Sequence, residues 1–149
     1  MELRIKKLYP DAILPTRSKP GDSGLDLHAY LPEGPVTVLA GDRHCFDLGI
    51  AIELPPHPGE HWGYEAQVRP RSGLKKKHGV MAGFGTIDSG YRGELGLTLF
   101  NMSVRGYTVR HGDRIAQLVV CPVVYPTVVD VESLSETERG TDGFGSTGV

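Results

Sequence analysis

Long apolar runs are missing from this 149-residue chain. None approaches the ~18 consecutive apolar residues that a membrane-spanning helix needs, so no membrane partner is expected. An excess of positive charge is missing too. Sixteen Lys and Arg against eighteen Asp and Glu give a formal net charge of −2. That balance argues against stable nucleic-acid binding, which needs a basic surface, and confines any phosphate site to a local cluster. Cysteine is scarce: Cys45 and Cys121 fit no metal-ligand spacing and are too few for a disulfide framework. The first residues, Met-Glu-Leu-Arg-Ile-Lys-Lys, lack the apolar stretch of a signal peptide. A cytoplasmic protein with reduced thiols is therefore expected. No repeat and no linker divides the chain, so residues 1–149 are expected to form a single domain, long enough for a core of its own.

Room for helices is short as well, because 20 glycines and 11 prolines interrupt the chain every few residues. What lies between them has strand character. Leu3 and Ile5 alternate with charged residues, and Val36-Thr-Val-Leu39 and Leu48-Gly-Ile-Ala-Ile52 are rich in β-formers. Tyr64, Ala66 and Val68, then Leu95, Leu97 and Leu99, alternate cleanly and offer one face each to a core. Ile115–Cys121 and Val123–Val131 are nearly continuous apolar runs, and Pro122 and Pro126 turn parts of them into edges or bends. Many short strands with turn signals predict an all-β sandwich, jelly roll or barrel. One short helix is expected after Ser72, a good N-cap residue followed by Gly-Leu-Lys-Lys-Lys-His. Its Lys75–Lys77 run reads as a solvated face.

Five segments carry polar groups that a sandwich does not need. Gly24-Leu-Asp-Leu-His-Ala29 reads as a strand whose polar phase carries Asp26 and His28, an alternation that any half-exposed strand would also show. In Arg69-Pro-Arg-Ser-Gly-Leu74, Arg71 and Ser72 set a guanidinium beside a hydroxyl and free backbone N–H groups, which suits a phosphate. By itself the same pattern describes a helix cap that binds nothing. Within Gly83–Glu94, Asp88-Ser-Gly is either an ordinary turn or a carboxylate that orients a water, with Tyr91 offering its ring to a flat ligand. In Gly112–Leu118, Asp113 beside Arg114 predicts a structural ion pair, and Gln117 is a spare donor and acceptor.

The fifth segment is the tail, Arg139–Val149, which sets a cation (Arg139), an aromatic ring (Phe144) and the hydroxyls of Ser146 and Thr147 among glycines. It holds too little apolar surface to offset its ordering entropy, so it is either a frayed end or an arm that orders over a ligand. Gly143-Phe-Gly-Ser-Thr-Gly148 is a literal G-x-G-x-x-G. The dinucleotide reading needs a helix after it, and none is expected beyond Val149. An ATP-binding loop is excluded because no Lys-Ser/Thr pair follows Gly148.

Together, in order and wording, these segments resemble the trimeric dUTP pyrophosphatase (dUTPase) family. The matching stretches are Pro70-Arg-Ser-Gly-Leu74 with Lys77-His-Gly79, Ile87-Asp-x-x-Tyr-Arg-Gly93, Gly112-Asp-Arg-Ile-Ala-Gln117 and Arg139-Gly-x-x-Gly-Phe-Gly-Ser-Thr-Gly148. The resemblance implies an all-β jelly-roll or β-clip-like domain with a flexible C-terminal arm, about residues 133–149. It implies a homotrimer with active sites shared between subunits, the arm of one closing a site formed by the others. The implied reaction is hydrolysis of dUTP to dUMP and pyrophosphate, with Mg²⁺ bound through the phosphates. Such an activity limits uracil incorporation into DNA and supplies dUMP for thymidylate synthesis.

The same resemblance implies the roles of residues. Asp88 would hold and deprotonate the attacking water, and Asp26 would meet the Mg²⁺ shell through water, as suits an ion that dehydrates reluctantly. Arg71, Ser72, Gly73 and Gln117 would grip the triphosphate. Arg139, Gly145, Ser146 and Thr147 would secure its far end while Phe144 stacks on the base. Gly83, Thr86 and Ile87 would form a hairpin slot whose backbone reads the uracil edge, and Tyr91 would pack on the sugar and exclude a ribose hydroxyl. Two rivals share the scaffold. A dCTP deaminase would need a Glu where this chain has Thr98, and a non-catalytic trimeric module would not need Asp88, Tyr91, Arg139 and Phe144 together. One departure stands out: Asp142, where family members often have Gly, adds a negative charge to a triphosphate-binding arm.

Overall fold

The computed structural model describes residues 2–57 and 59–141. Their regular structure is eleven strands and one helix. In chain order these are β1 (Arg4–Lys7), β2 (Leu25–His28), β3 (Val36–Val38), β4 (Arg43–Asp47), β5 (Ile50–Glu53), β6 (Trp62–Arg69), α1 (Ser72–His78), β7 (Val80–Ala82), β8 (Gly85–Ile87), β9 (Gly96–Asn101), β10 (Tyr107–Val109) and β11 (Arg114–Val124). A four-stranded sheet runs β2-β11-β6-β8 and a three-stranded sheet runs β4-β9-β7, with two ribbons, β1-β5 and β3-β10. Every pairing is antiparallel.

The predicted alternation builds the core. Ala66 and Val68 of β6, and Leu97 and Leu99 of β9, turn their side chains inward to meet Phe46, Ile115 and Leu118. Burying one such leucine contributes about 2 kcal/mol. Among the described residues the core also holds one fully buried polar residue, Asn101. Its amide donates to the carbonyls of Val38 (3.0 Å) and Arg105 (2.7 Å), and its oxygen accepts from the Ser103 N–H (3.0 Å). A side chain thereby completes backbone hydrogen bonding where the turn after β9 leaves the ladder.

Three sequence expectations change in the structure. The strand expected over Leu48–Ile52 begins only at Ile50, because Gly49 has a positive φ of 69° that breaks the extended run. Ser72 is the first helical residue and not the cap; Arg71 takes the extended N-cap position, and no side chain caps the helix. Gly79 ends the helix in the left-handed region (φ 66°), its N–H bonded to the Lys75 carbonyl at 3.0 Å. The run Val123–Val131 is strand only as far as Val124. Pro122 lies inside β11, past the end of β2 pairing, so only β6 flanks it. Tyr125 donates to His61 at 2.8 Å. Ladder alternation from that bond puts Pro122 at a non-hydrogen-bonded position, its missing N–H on the open edge.

Candidate functional site

Strand register brings the first group of predicted residues together. Gln117 of β11 stands opposite Asp26 of β2 and Ala116 opposite Leu27, but the next pair is Arg114 with His28. This β-bulge follows from two consecutive residues, Ile115 and Ala116, both being buried. Without it Ile115 would face His28. With it Arg114 shares a sheet face with His28, Asp26 and Gln117.

Asp26 is the hub of that face. Its Oδ1 accepts from Arg71 Nε at 2.9 Å, and its Oδ2 from Ser18 Oγ at 2.7 Å and Arg114 Nη1 at 3.1 Å. Burial opposes ionisation of Asp26, but the Ser18 hydrogen bond and the Arg71 and Arg114 charges outweigh it and hold its pKa below the ordinary 3.8. His28 is pushed the other way. Burial first, then Arg114 and Arg71, prevail over the Asp26 charge and lower its pKa below 6.5, and its buried Nδ1 has no hydrogen-bond partner among the described residues. Gln117 donates to the Pro70 carbonyl at 3.0 Å, and a Cβ on Gly24 would lie 2.2 Å from its Oε1. Glycine at position 24 is thus what lets Gln117 lie flat against β2. Ser72 and Gly73 are exposed at the start of α1. Beside them opens a polar cleft of about 380 Å³ lined by Arg71, Gly73, Lys77, His78, Tyr107 and Arg114.

The expected Asp113–Arg114 ion pair is not formed. Asp113 Oδ2 instead accepts from the Arg110 N–H at 2.8 Å, closing a turn, while Arg114 goes to Asp26. Ser18 was not expected at all. A bridge between Thr16 and Asp26 delivers it, and nothing local to Ser18 marks that pairing.

The second group sits elsewhere. Gly83 and Phe84 carry the chain from the β4-β9-β7 sheet to the edge of the β2-β11-β6-β8 sheet, so β7 and β8 pair with different partners and the expected hairpin does not close on itself. The Gly83 N–H donates to the Thr98 carbonyl at 2.8 Å. Between the two sheets lies a cleft of about 390 Å³ lined by Cys45, Gly83, Phe84, Gly85, Gly96 and Thr98. Thr86 is exposed opposite Gln67, and Ile87 is buried opposite Ala66. Next comes the turn Asp88–Tyr91, closed by the Tyr91 N–H donating to the Asp88 carbonyl at 3.0 Å. Asp88 is exposed, and the Tyr91 hydroxyl donates to the Glu94 carbonyl at 2.9 Å.

Within one chain Asp88 and Arg71 stand apart, although Gly85 pairs with Val68 near the Arg69–Gln117 pair. Asp88 lies just beyond the Ile87–Ala66 pair, whereas Arg71 follows the far end of β6. The backbone from Ala66 to Arg71 spans roughly 16 Å at strand rise. Arg139 is described, but Asp142, Phe144, Gly145, Ser146 and Thr147 lie outside the described residues. Among the described residues no group of three or more His, Cys, Asp or Glu could hold a metal ion. No helix of the described residues is long and apolar enough to cross a membrane.

The chain matches the dUTPase family over residues 10–148. It is 51% identical over 138 residues to the deoxyuridine 5'-triphosphate nucleotidohydrolase of Beijerinckia indica subsp. indica, covering 91% of this chain and 82% of that protein. It is 44% identical to the enzyme of the same name from Nautilia profundicola, covering 99% of each. The fold is similar to that of the Staphylococcus bacteriophage 80alpha dUTPase in its structure with dUPNHPP, with a TM-score of 0.86, 28% identity and 99% of each chain covered. The architecture is accordingly jelly-roll-like, as the resemblance implied. Motifs, strand order and full-length relatives agree, and the chain belongs to the dUTPase family.

Proposed function

We propose that this protein hydrolyses dUTP to dUMP and pyrophosphate, limiting uracil in DNA and supplying dUMP. The observation that carries this reading is full-length similarity to deoxyuridine 5'-triphosphate nucleotidohydrolases. Phosphoryl chemistry asks a protein mainly for position and charge. Asp88 holds and deprotonates the attacking water. Arg71, Ser72, Gly73 and Gln117 grip the phosphates, and Arg139, Phe144, Gly145, Ser146 and Thr147 of the arm secure the far phosphate and the base. The backbone of Gly83–Ile87, whose Gly83–Gly85 end lines the glycine-rich cleft, receives the uracil, with Tyr91 against the sugar. Backbone groups paired to the uracil edge leave cytosine mismatched, which supports discrimination of ~10⁴ or more.

The separation of Asp88 from Arg71 supports a site completed by a second copy of the chain, as in a homotrimer whose arms, about residues 133–149, close neighbouring sites over a single domain. Mg²⁺ suits the Asp26 face on a specific ground. Asp26 is held ionised, yet both its oxygens are taken by Ser18, Arg71 and Arg114, so it fits a water-mediated contact and not direct ligation. The ion, when bound through the phosphates, would supply charge neutralisation. The free thiols of Cys45 and Cys121 suit a cytoplasmic setting. Deamination of dCTP is the weaker reading, because the Thr98 hydroxyl cannot shuttle protons at neutral pH. The test is incubation with Mg²⁺ and each deoxynucleoside triphosphate, measuring pyrophosphate and ammonia. Pyrophosphate from dUTP alone is expected; ammonia from dCTP or a preference for dTTP would overturn the reading. Asp88→Asn should lower kcat while leaving substrate affinity intact.

A further inference from the structure

We propose that His57 is a positioning residue for the Asp88 turn, acting through Ser89; this rests on the catalytic reading of Asp88 above. The segment between β5 and β6 carries His57 across to that turn, where its Nε2 lies 2.9 Å from Ser89 Oγ. Either ring tautomer makes this bond, since a serine hydroxyl both donates and accepts.

The ring is exposed on one side and rests against Gly63 and Tyr125 on the other. A Cβ on Gly63 would stand 2.7 Å from His57 Nδ1 and 2.7 Å from the Tyr125 hydroxyl, so the missing side chain at position 63 makes the slot that both occupy. The His57 and Tyr125 rings lie 5.3 Å apart. Tyr125 donates from its N–H to the His61 carbonyl at 2.8 Å, which extends the β6–β11 ladder to the root of this slot. His57 therefore joins the end of the longest strand pair to the turn that bears Asp88.

At the turn, backbone and side chain are both tied. Arg92 Nη1 donates to the Ser89 carbonyl at 2.7 Å, and Ser89 Oγ takes the His57 bond. Asp88 is exposed, and it is its backbone carbonyl that accepts the bond closing the turn. Its aim is thus set by the backbone on either side, and Ser89 is the next residue. A displacement of ~1 Å at a reacting group can lower a rate by about a hundredfold, so a tether at this point acts on turnover and not on binding.

The test compares His57→Ala, Ser89→Ala, the double variant and His57→Gln with the unaltered protein. Gln carries an amide nitrogen about as far from Cβ as imidazole Nε2, so it can restore the bond. Each alanine variant should lower kcat for dUTP roughly threefold to thirtyfold at unchanged KM, and the double variant should be no worse than either. His57→Gln should recover most of the loss, a rescue that a merely structural role would not produce. Wild-type kcat in His57→Ala, multiplicative losses in the double variant, or no rescue by Gln would each overturn the proposal. Amide hydrogen exchange at Ser89 and Gly90, without substrate, should speed up in His57→Ala and recover in His57→Gln; unchanged exchange would also overturn it. A protein that turns over no dUTP would sink the catalytic reading of Asp88 while the exchange experiment still decides whether His57 holds the turn.

Discussion

Asp26→Asn is the substitution whose cost is most directly readable. Both carboxylate oxygens are engaged: Oδ1 accepts from Arg71, and Oδ2 from Ser18 and Arg114. An asparagine keeps the shape but must turn its NH₂ toward one guanidinium, donor against donor. The Arg71 side chain is 28% exposed and the Arg114 side chain 51%, so the amide will turn toward Arg114, which can swing into water. With Arg114 half exposed and Asp26 at 13%, such a pair is worth about 1 kcal/mol, the upper end for surface pairs. The Arg71 bond survives but falls from charge-assisted to ordinary strength, a loss of about 1–1.5 kcal/mol. The sum is about 2 kcal/mol, or a Tm lower by roughly 4–8 °C for a chain of this size. Urea and thermal unfolding near neutral pH, at one protein concentration, measure it. Double-mutant cycles with Arg71→Met and Arg114→Met should give the larger coupling to Arg71. A loss below about 0.5 kcal/mol, or stronger coupling to Arg114, would refute the assignment of Asp26 as the hub.

Gly24→Ala should evict Gln117 from the Pro70 carbonyl, because the new methyl would lie 2.2 Å from Oε1 and 3.0 Å from the Gln117 Cβ. The expected result is about 1 kcal/mol less stability and a raised KM for dUTP; an unchanged KM would remove Gln117 from the binding site. Asn101→Ala strips partners from the Val38 and Arg105 carbonyls and the Ser103 N–H and should cost about 3 kcal/mol, read from the urea midpoint. A loss under about 1 kcal/mol would mean that Ser103 or water replaces the amide. His28 titrates with its folded pKa below the ordinary 6.5, so the unfolded chain takes up the proton first. Its share of stability is full above 6.5 and declines as pH falls toward the folded value. His28→Gln should flatten that decline; a wild-type slope in the variant would assign it to another group.

The period of the pattern was legible wherever one face of a strand meets the core. Ala66, Val68, Leu97 and Leu99 are all buried as their alternation predicts, because a strand's inward face is decided residue by residue. The family was equally legible in the wording of the motifs, and the chain matches it over residues 10–148. What each side chain touches was not. The sequence placed Arg114 with its neighbour Asp113, whereas the structure gives it to Asp26, since a bulge between Arg114 and Ala116 shifts the register by one residue. Ser72 looked like a cap because the residue type favours that position, yet the helix begins one residue earlier than the pattern implied.

By itself, then, the sequence determined the all-β class, the short helix, the core faces and the family, because each depends on residue type and local spacing. Tertiary structure alone decided that Ser18 and two arginines converge on Asp26, that Asp88 and Arg71 stand at opposite ends of a strand path, and that His57 reaches Ser89. Those placements depend on register and strand length, which no local pattern encodes.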